Sequence, residues 1–288
     1  MIYTLKNDLL SVMICSKGAE LCKFTDHEGI NYLWSADAKF WPRHTPILFP
    51  LVGRVADGKY LSNNQVFEAS QHGFARDMAF TLTDQTDTSL TFTLCSSQDT
   101  QPLYPFNFQL DVIYILEGKS LQIIYKVHNT DTQVIGFKLG AHPGFMCPLF
   151  EGEKMEDYYL EFEKTENALL MQLAPEGLLT DEMTPFVGQT IPLSPETFAK
   201  DALIFTGLDS QAISLCSHNH TKKLTVSFDG FPFLGIWSTA TRSPFVCIEP
   251  WFGHTDFVDD SKEFLEKRDI VSLSTHETFE CKHVISIS

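Results

Sequence analysis

Apolar and polar residues alternate with a period of two over much of the chain, and this pattern predicts β-strands. In residues 121–127 every second position is large and apolar, namely Leu121, Ile123, Tyr125 and Val127. The run 108–116 precedes this segment, and Glu117-Gly118-Lys119 between the two is typical of a tight hairpin turn. Similar alternation at 90–94, 160–163, 224–228 and 284–288 predicts further strands.

Helical patterns are rare in this chain. One short helix is predicted over 262–267, capped by Asp260 and Ser261, with Phe264 and Leu265 on its buried side. Turn residues separate the predicted strands at short intervals, and no linker, charge block or internal repeat marks a boundary. The sequence therefore predicts an all-β fold, a large antiparallel β-sandwich that forms one domain spanning residues 1–288.

Composition limits the possible partners and the cellular compartment. Of the 288 residues 43% are hydrophobic, and the net charge of -16 argues against nucleic acid or an anionic membrane as a partner, because both would repel the protein. The N-terminus lacks the features of a signal peptide, and no apolar run is long enough to span a bilayer. The seven cysteines show neither C-x-x-C spacing nor a zinc-ligand pattern. We therefore expect a cytoplasmic protein with reduced thiols.

Two segments each place a titratable residue directly before proline and close to aromatic residues. They are Gly140-Ala141-His142-Pro143-Gly144-Phe145 and Cys247-Ile248-Glu249-Pro250-Trp251-Phe252-Gly253. A residue before proline is biased toward extended geometry, and proline cannot donate to a sheet ladder, so both positions are expected at strand ends or sheet edges. Burial beside aromatics would raise the pKa of Glu249 and make it a better base near neutral pH. Taken alone, a histidine or a Glu-Pro of this kind is more often structural than catalytic.

Other polar residues have weaker patterns. Arg54 and His72 stand among apolar, glycine and proline positions, a mixture that suits a sugar site, and Arg76 follows shortly after. Either arginine taken singly is more often paired with an acid on such an acidic protein. His218-Asn219-His220 resembles a metal-ligand pair, but no third ligand is evident nearby and a polar loop is the better interpretation. His254 and Asp256 follow the Glu249 segment as supporting or loop residues.

The ordered series Gly18-Ala19-Glu20-Leu21, Gly53-Arg54, His72-Gly73-Phe74, His142-Pro143-Gly144 and Glu249-Pro250-Trp251 resembles the aldose 1-epimerase (galactose mutarotase) family. The later Trp251, Gly253 and Asp256, followed by Lys267 and Leu273, are similar to its LacX-like branch. The resemblance runs from about residue 10 to the C-terminus. In the broader family the first histidine segment of this series more often reads His-Gly-Gly, and the second histidine segment lacks the proline.

This resemblance implies a galactose mutarotase-like supersandwich without a metal or organic cofactor, acting on a small sugar. It implies that His142 is the general acid on the sugar ring oxygen and Glu249 the general base on the C1 hydroxyl. Arg54 and His72 would hold sugar hydroxyls, and Asp201 would be the family's substrate-binding aspartate. The residue types suit the reaction independently, because opening a cyclic hemiacetal needs one proton donor and one proton acceptor.

Several functions remain open at this point. The first is an epimerase for a free aldohexose such as glucose or galactose. A mutarotase for hexose 6-phosphates is the closest alternative, since Arg43, Arg54 and Arg76 could clamp a phosphate. A non-catalytic sugar-binding protein is another alternative. A glycoside hydrolase ranks below these because that chemistry usually needs two carboxylates at the scissile bond. The sequence leaves the oligomeric state open.

Overall fold

The computed structural model describes residues 1–288, and strands make up nearly all of its regular structure. In chain order the strands are β1 (Ile2–Lys6), β2 (Leu10–Cys15), β3 (Glu20–Asp26), β4 (Ile47–Leu48), β5 (Lys59–Ser62), β6 (Gln65–Glu68), β7 (Thr81–Gln85), β8 (Ser89–Cys95), β9 (Phe108–Glu117), β10 (Ser120–Asn129) and β11 (Ile135–Phe137). They continue with β12 (Leu139–Ala141), β13 (Gly144–Met146), β14 (Tyr158–Leu173), β15 (Leu179–Pro192), β16 (Leu203–Thr206), β17 (Ala212–Ser217), β18 (Leu224–Ser227), β19 (Phe233–Trp237), β20 (Phe245–Phe252), β21 (Val271–Leu273) and β22 (Thr278–Ile287).

The helices are short 3₁₀ turns at Ala56–Gly58, Ala75–Asp77, Met155–Asp157, Pro195–Phe198 and Phe264–Glu266. None of them has the length and apolar character needed to cross a bilayer. The helix predicted over 262–267 is present only as the turn Phe264–Glu266. Phe264 is buried as predicted, but the prediction for Leu265 was wrong, since 41% of this residue is exposed. A turn of three residues is too short to bury two adjacent side chains, so Phe264 packs inward and Leu265 stays exposed.

One antiparallel sheet of 15 strands organises the fold. Its order is β4-β12-β20-β19-β16-β14-β17-β18-β22-β10-β9-β8-β7, with β13 also paired to β20 and β15 to β14. A three-stranded sheet, β1-β2-β3, and the pairs β11-β21 and β5-β6 complete the structure. The prediction of an all-β fold built as a large antiparallel β-sandwich is confirmed.

The predicted hairpin is present as β9 and β10, in which Glu117 pairs with Ser120 across the turn. Burial along β10 alternates at every residue, with the apolar residues of the sequence pattern on the buried side. This is expected when one face of a strand packs on a core and the other is partly exposed. The strands predicted at 90–94, 160–163, 224–228 and 284–288 lie within β8, β14, β18 and β22, except for Phe228 and Ser288, which lie just beyond their strands.

The buried apolar residues form three clusters of unequal size. The largest contains 60 residues and fills the body of the protein. A cluster of eight includes Ile204, Phe233 and Trp251, and a cluster of three, Trp34, Phe245 and Cys247, packs against Trp41 and Trp237. Both smaller clusters include residues of β20, so this strand contributes side chains to each of them.

Strand β20 runs between β19 on one side and the two short strands β12 and β13 on the other. Leu139 and Gly140 of β12 pair with its C-terminal end, whereas 144–146 of β13 pair with its first residues. The intervening residues 142–143 interrupt the ladder, and Ile248 N–H donates to the Pro143 carbonyl at 3.2 Å. Pro250 therefore lies beside a gap in the neighbouring ladder, where its missing N–H costs no sheet hydrogen bond.

The two pre-proline positions thus have different settings. His142 lies between β12 and β13, at a strand end as predicted. For Glu249 the prediction of a strand end or sheet edge was wrong, because this residue is inside β20, a strand buried along nearly its whole length. The gap opposite Pro250 is the physical reason that a proline is accommodated within an interior strand.

Two glycines leave room for the Trp251 side chain on β20. A Cβ on Gly235 of β19 would lie 2.4 Å from Trp251 Cζ2, and one on Gly140 of β12 would lie 2.6 Å from Trp251 Cδ1. These distances are far shorter than van der Waals contact, so the indole occupies the space that side chains at both positions would need. The Trp251 indole can occupy this position because residues 140 and 235 are both glycine.

We expect Gly235→Ala to lower the free energy of unfolding by about 1–3 kcal/mol, because the added methyl group overpacks a filled interior against Trp251. Thermal unfolding followed by circular dichroism measures the change. The exposed substitution Thr190→Ala on β15 is the control and should stay within about 0.5 kcal/mol of wild type. Equal stability of Gly235→Ala and Thr190→Ala would contradict the assigned packing.

Candidate active site

A cavity of about 350 Å³ opens beside β20. The residues predicted from the sequence all contribute to its lining: Arg54, His72, His142, Asp201 and Glu249. Arg76 contributes as well. These residues are separated by up to 195 positions in the chain, so the tertiary fold assembles the cavity. Its size lies at the lower end of the range for small-molecule sites.

His142 and Glu249 form the floor of the cavity. His142 Nε2 lies 3.3 Å from Glu249 Oε2, and both side chains are almost fully buried. Neither Glu249 Oε2 nor His142 Nδ1 has a hydrogen-bond partner within the protein. The indole of Trp41 stacks on the His142 ring with centroids 4.8 Å apart, and Trp237 meets the same ring edge to face at 5.7 Å. These aromatic contacts fix the plane of the imidazole.

Burial controls the protonation of this pair. It lowers the pKa of His142 to about 3, and the positive charges of Arg76 and Arg43 act in the same direction. Burial also raises the pKa of Glu249 well above its usual value, and the nearby Asp201 adds to this shift. Glu249 therefore holds its proton to a higher pH than a carboxyl group in water does, and His142 is neutral at neutral pH. The raised pKa expected for Glu249 is confirmed, and desolvation lowers the pKa of His142 below the ordinary histidine value.

His72 lines the cavity, with its Nε2 3.3 Å from the Gln71 side-chain amide. Its Nδ1 accepts a hydrogen bond from the Gly53 N–H at 3.1 Å, which assigns the ring proton of the neutral imidazole to Nε2. Burial lowers the pKa of His72 well below its usual value, and the neighbouring His142 and Arg76 contribute. His72 is thus neutral at pH 7. Its backbone has a φ of +65°, in the left-handed region.

The charged residues of the cavity differ in how firmly they are held. The Arg54 guanidinium is exposed and donates from Nη1 to the Glu176 carbonyl at 3.1 Å. Arg76 donates to the Gln71 carbonyl at 2.6 Å, and its buried Nε lies 3.8 Å from Asp77 Oδ2 without forming a hydrogen bond. Burial and the like charge of Arg43 lower the pKa of Arg76 to about 10. Asp201 accepts only from the neighbouring Ala202 N–H, so most of its acceptor capacity remains free.

Several buried polar atoms around the cavity have no hydrogen-bond partner in the protein. Besides the atoms of His142 and Glu249, they include Arg76 Nε and Trp251 Nε1, all on residues that line this cavity. Native proteins pair nearly all their buried polar groups, so a concentration of unpaired ones is typical of a site for a polar ligand. The mixture of donors, acceptors and indole rings suits a hydroxyl-rich molecule with an apolar face.

Sequence reasoning missed the aromatic walls at Trp41 and Trp237 and the polar residues Gln71 and Thr255. Trp41 lies in a segment without regular structure, and no local pattern connects it with His142. A search for tryptophans outside strand alternation would have been the available signal. Trp251, by contrast, was part of the quoted Glu249 motif.

The remaining histidines of interest lie elsewhere or serve the scaffold. His220 Nε2 lies 3.0 Å from the Tyr158 hydroxyl, and neither His218 nor His220 lines the cavity, in agreement with the polar-loop interpretation. His254 is fully buried, with Nε2 2.9 Å from Asp269 Oδ2. Asp256 is also buried and bonded to lysines behind the cavity wall.

His142, Cys247 and Glu249 offer ligand atoms within 4.8 Å of one another, a spacing that could hold a metal ion. Burial raises the pKa of the Cys247 thiol well above its usual value, as it does for Glu249. Both groups therefore resist ionisation, and a metal ion would have to displace protons from a desolvated site. This donor set fits a resident metal poorly.

The comparisons with known proteins agree with this architecture. The aldose 1-epimerase family model matches residues 1–272. The chromosomal protein LacX of Lactococcus lactis subsp. lactis is 34% identical over 297 residues, which cover 100% of this chain and 99% of that protein. A galactose mutarotase related enzyme from Lactobacillus acidophilus is 30% identical with a TM-score of 0.96, covering 100% and 97% of the two chains. A galactose mutarotase-like protein from Lactobacillus casei is 28% identical with a TM-score of 0.94 and complete coverage of both chains.

The fold is therefore that of the galactose mutarotase-like β-sandwich proteins. Within that class, the chain belongs to the aldose 1-epimerase family, as both the family model and the LacX relative show. The resemblance drawn from the ordered motifs, including its LacX-like branch, is confirmed.

The protonation state of His142 can be measured without any assay of activity. We expect the His142 ring signals in an NMR titration to stay constant from about pH 8 to about pH 5, since burial lowers this pKa to about 3. The group remains neutral as the pH falls through the ordinary histidine value of about 6.5. A His142→Gln variant identifies the signals by their loss. A midpoint near 6.5 for His142 would show that the site is hydrated rather than dry.

Proposed function

We propose that this protein is an aldose 1-epimerase that interconverts the α and β anomers of a free aldohexose. The observation that carries the proposal is the buried His142–Glu249 pair, with Nε2 and Oε2 3.3 Å apart at the floor of a cavity rich in unpaired polar atoms. Family membership supports the reaction class, and the acid–base pair supplies the groups that the reaction needs.

The number of protons on the pair suits this reaction. Ring opening requires one proton to reach the ring oxygen while another leaves the C1 hydroxyl, so the enzyme must begin with one donor and one acceptor. The opposite shifts in the pKa of His142 and Glu249 keep one transferable proton on the pair over a wide pH range. A second proton binds only in strong acid, because the pKa of His142 is about 3.

In the proposed cycle His142 donates to the ring oxygen and Glu249 accepts from the C1 hydroxyl. The required form, protonated His142 and ionised Glu249, contains the same one proton as the neutral pair and is reached by transfer within the pair. Sugar hydroxyls that donate to Glu249 stabilise its charge when substrate fills the cavity. After opening, the proton count is unchanged, with Glu249 protonated and His142 neutral.

The open-chain aldehyde then rotates about its C1–C2 bond and presents its other face. Glu249 returns its proton to the C1 oxygen while His142 removes the proton from the attacking hydroxyl, so the ring closes as the other anomer. Each positioned proton transfer contributes about 10²–10⁴-fold to the rate. The pair ends in its starting state, and no metal or covalent intermediate enters the cycle.

Three further residues are proposed to hold the sugar. The exposed guanidinium of Arg54 and the Nε2–H of His72 are donors to hydroxyl oxygens, and Asp201 is an acceptor from hydroxyls. Trp237 or Trp251 offers an aromatic surface for the apolar face of the pyranose ring. We further propose that residues 1–288 act as one domain in the cytoplasm.

A second candidate is a mutarotase for hexose 6-phosphates. The observation that favours it is the buried Nε of Arg76, which forms no hydrogen bond, on a side chain that lines the cavity together with Arg54. Against it, Arg43 is paired with Asp77 at 3.0 Å, so one member of the proposed clamp is already neutralised. The free sugar therefore stays the leading substrate class.

Substitution of the pair tests the mechanism by polarimetry on fresh α-glucose and α-galactose. We expect His142→Ala and Glu249→Gln each to lower the enzymatic rate by at least about 100-fold, because each removes a proton carrier. His218 lies outside the cavity, so His218→Ala is the control, and its rate should equal that of wild type. Near-wild-type turnover in either site variant would remove that residue from the mechanism, and wild-type protein that binds sugar without turnover would be a binding protein.

The substrate class is tested by comparing anomerisation of glucose and glucose 6-phosphate at equal concentration. We expect the larger kcat/KM on glucose, because Arg43 is engaged by Asp77 and the protein carries a net charge of -16. Arg76→Gln is the diagnostic variant, since a phosphate clamp would make its effect much larger on the phosphorylated sugar. A strong preference of wild type for glucose 6-phosphate would replace the leading substrate with the second candidate.

A further inference from the structure

A buried ionic cluster lies behind the cavity wall. Asp256 is 1% exposed, and its carboxylate contacts Lys267 Nζ at 2.5 Å and Lys138 Nζ at 3.5 Å. Both lysines are also buried, and burial lowers the pKa of Lys138. Such clusters contribute little net stability, because desolvation of the charges offsets their attraction. Net stability therefore does not account for the burial of these residues.

The lysines anchor Asp256 to separate parts of the scaffold. Lys138 lies between β11 and β12 and donates to the His254 carbonyl at 2.8 Å. Lys267 follows the turn Phe264–Glu266 and donates to the Ser261 carbonyl at 3.0 Å. The carboxylate is thus fixed from two directions, and its position does not depend on the exposed surface.

Asp256 in turn holds the segment that carries Arg54. Its Oδ2 accepts a hydrogen bond from the Ala56 N–H at 3.1 Å, and its own N–H donates to the Arg54 carbonyl at 2.9 Å. The neighbouring Thr255 accepts from the Arg54 N–H at 3.0 Å through its hydroxyl. The Arg54 N–H, the Arg54 carbonyl and the Ala56 N–H are therefore all hydrogen-bonded to residues 255–256. The Arg54 side chain, by contrast, is exposed at the cavity.

We propose that Asp256, clamped between Lys138 and Lys267, is a positioning residue that fixes segment 54–56 and so holds Arg54 in place to bind substrate. The inference rests on the proposed function of the cavity as a sugar site. Ordering this segment before the ligand arrives removes that cost from the binding step. Asp256 touches neither the sugar nor the proton-transfer pair, so its effect is on binding rather than on turnover.

Two variants interrupt this connection in different ways. Asp256→Asn removes the charge that holds the two lysines. Ala56→Pro removes only the N–H that donates to Asp256 and leaves every buried charge intact. Proline fits at this position because Ala56 begins a 3₁₀ turn and the preceding Val55 is extended, with φ -106° and ψ 137°. If Asp256→Asn fails to fold, Ala56→Pro carries the test.

The measurement is kcat and KM for glucose in each variant, alone and combined with Arg54→Ala. We expect Asp256→Asn and Ala56→Pro each to raise KM by about tenfold with kcat within about twofold of wild type. In the Arg54→Ala background the same substitutions should change KM by less than about twofold, since residues that act through one another are not additive. Full additivity with Arg54→Ala, or a fall in kcat without a change in KM, would overturn the proposal.

Asp26→Asn is the matched control, because Asp26 is also buried, is paired with Lys222 at 3.4 Å and lies away from the cavity. It should lower the melting temperature and leave KM unchanged. Hydrogen exchange supplies a readout without turnover: we expect faster exchange of amides 54–56 in Asp256→Asn, and unchanged exchange there would also overturn the proposal. Failure of the proposed function itself is distinct, since wild type would then show no enzymatic turnover of sugar.

Discussion

The interruption of the sheet beside β20 is the constraint on which the site depends. At this point β12 ends and β13 begins, so residues 142–143 form no regular ladder with Ile248 to Pro250. An interior strand would normally exclude proline, but the gap removes the hydrogen bond that Pro250 could not make. The same gap brings the His142 side chain to Glu249 within the protein interior. An acid–base pair is thereby held by backbone architecture rather than by a mobile loop.

Burial then determines the chemistry of the pair. Removal from water disfavours a charge on either group, which shifts the pKa of His142 downward and that of Glu249 upward. In water the pKa of histidine is higher than that of glutamate. In this fold the pKa of Glu249 is the higher of the two, so the pair retains one proton, on Glu249. A reversible reaction that moves one proton onto the substrate and one off it suits such a pair. The extensive core, whose main cluster contains 60 buried residues, offsets the free-energy cost of burying these two groups.

Rigid support continues outward from this floor. Trp41 and Trp237 fix the imidazole plane, while Gly140 and Gly235 leave space for Trp251 on the neighbouring strands. On the far side of the cavity the support is ionic and lies behind the wall, where buried lysines surround Asp256. The parts of the site expected to contact a ligand are therefore held in place by packed aromatic rings and by charges buried behind the wall.

The sequence by itself determined the strand-rich fold and the ordered motifs, because alternation with a period of two and residues next to proline are local signals. It also indicated Arg54, His72, His142, Asp201 and Glu249, which the tertiary structure brings to one cavity. Only the tertiary structure decided that Glu249 lies inside a strand, that His142 is neutral, and that Trp41 stacks on it. Those properties depend on strand pairing and on desolvation by residues distant in the chain. Local composition carries no information about either.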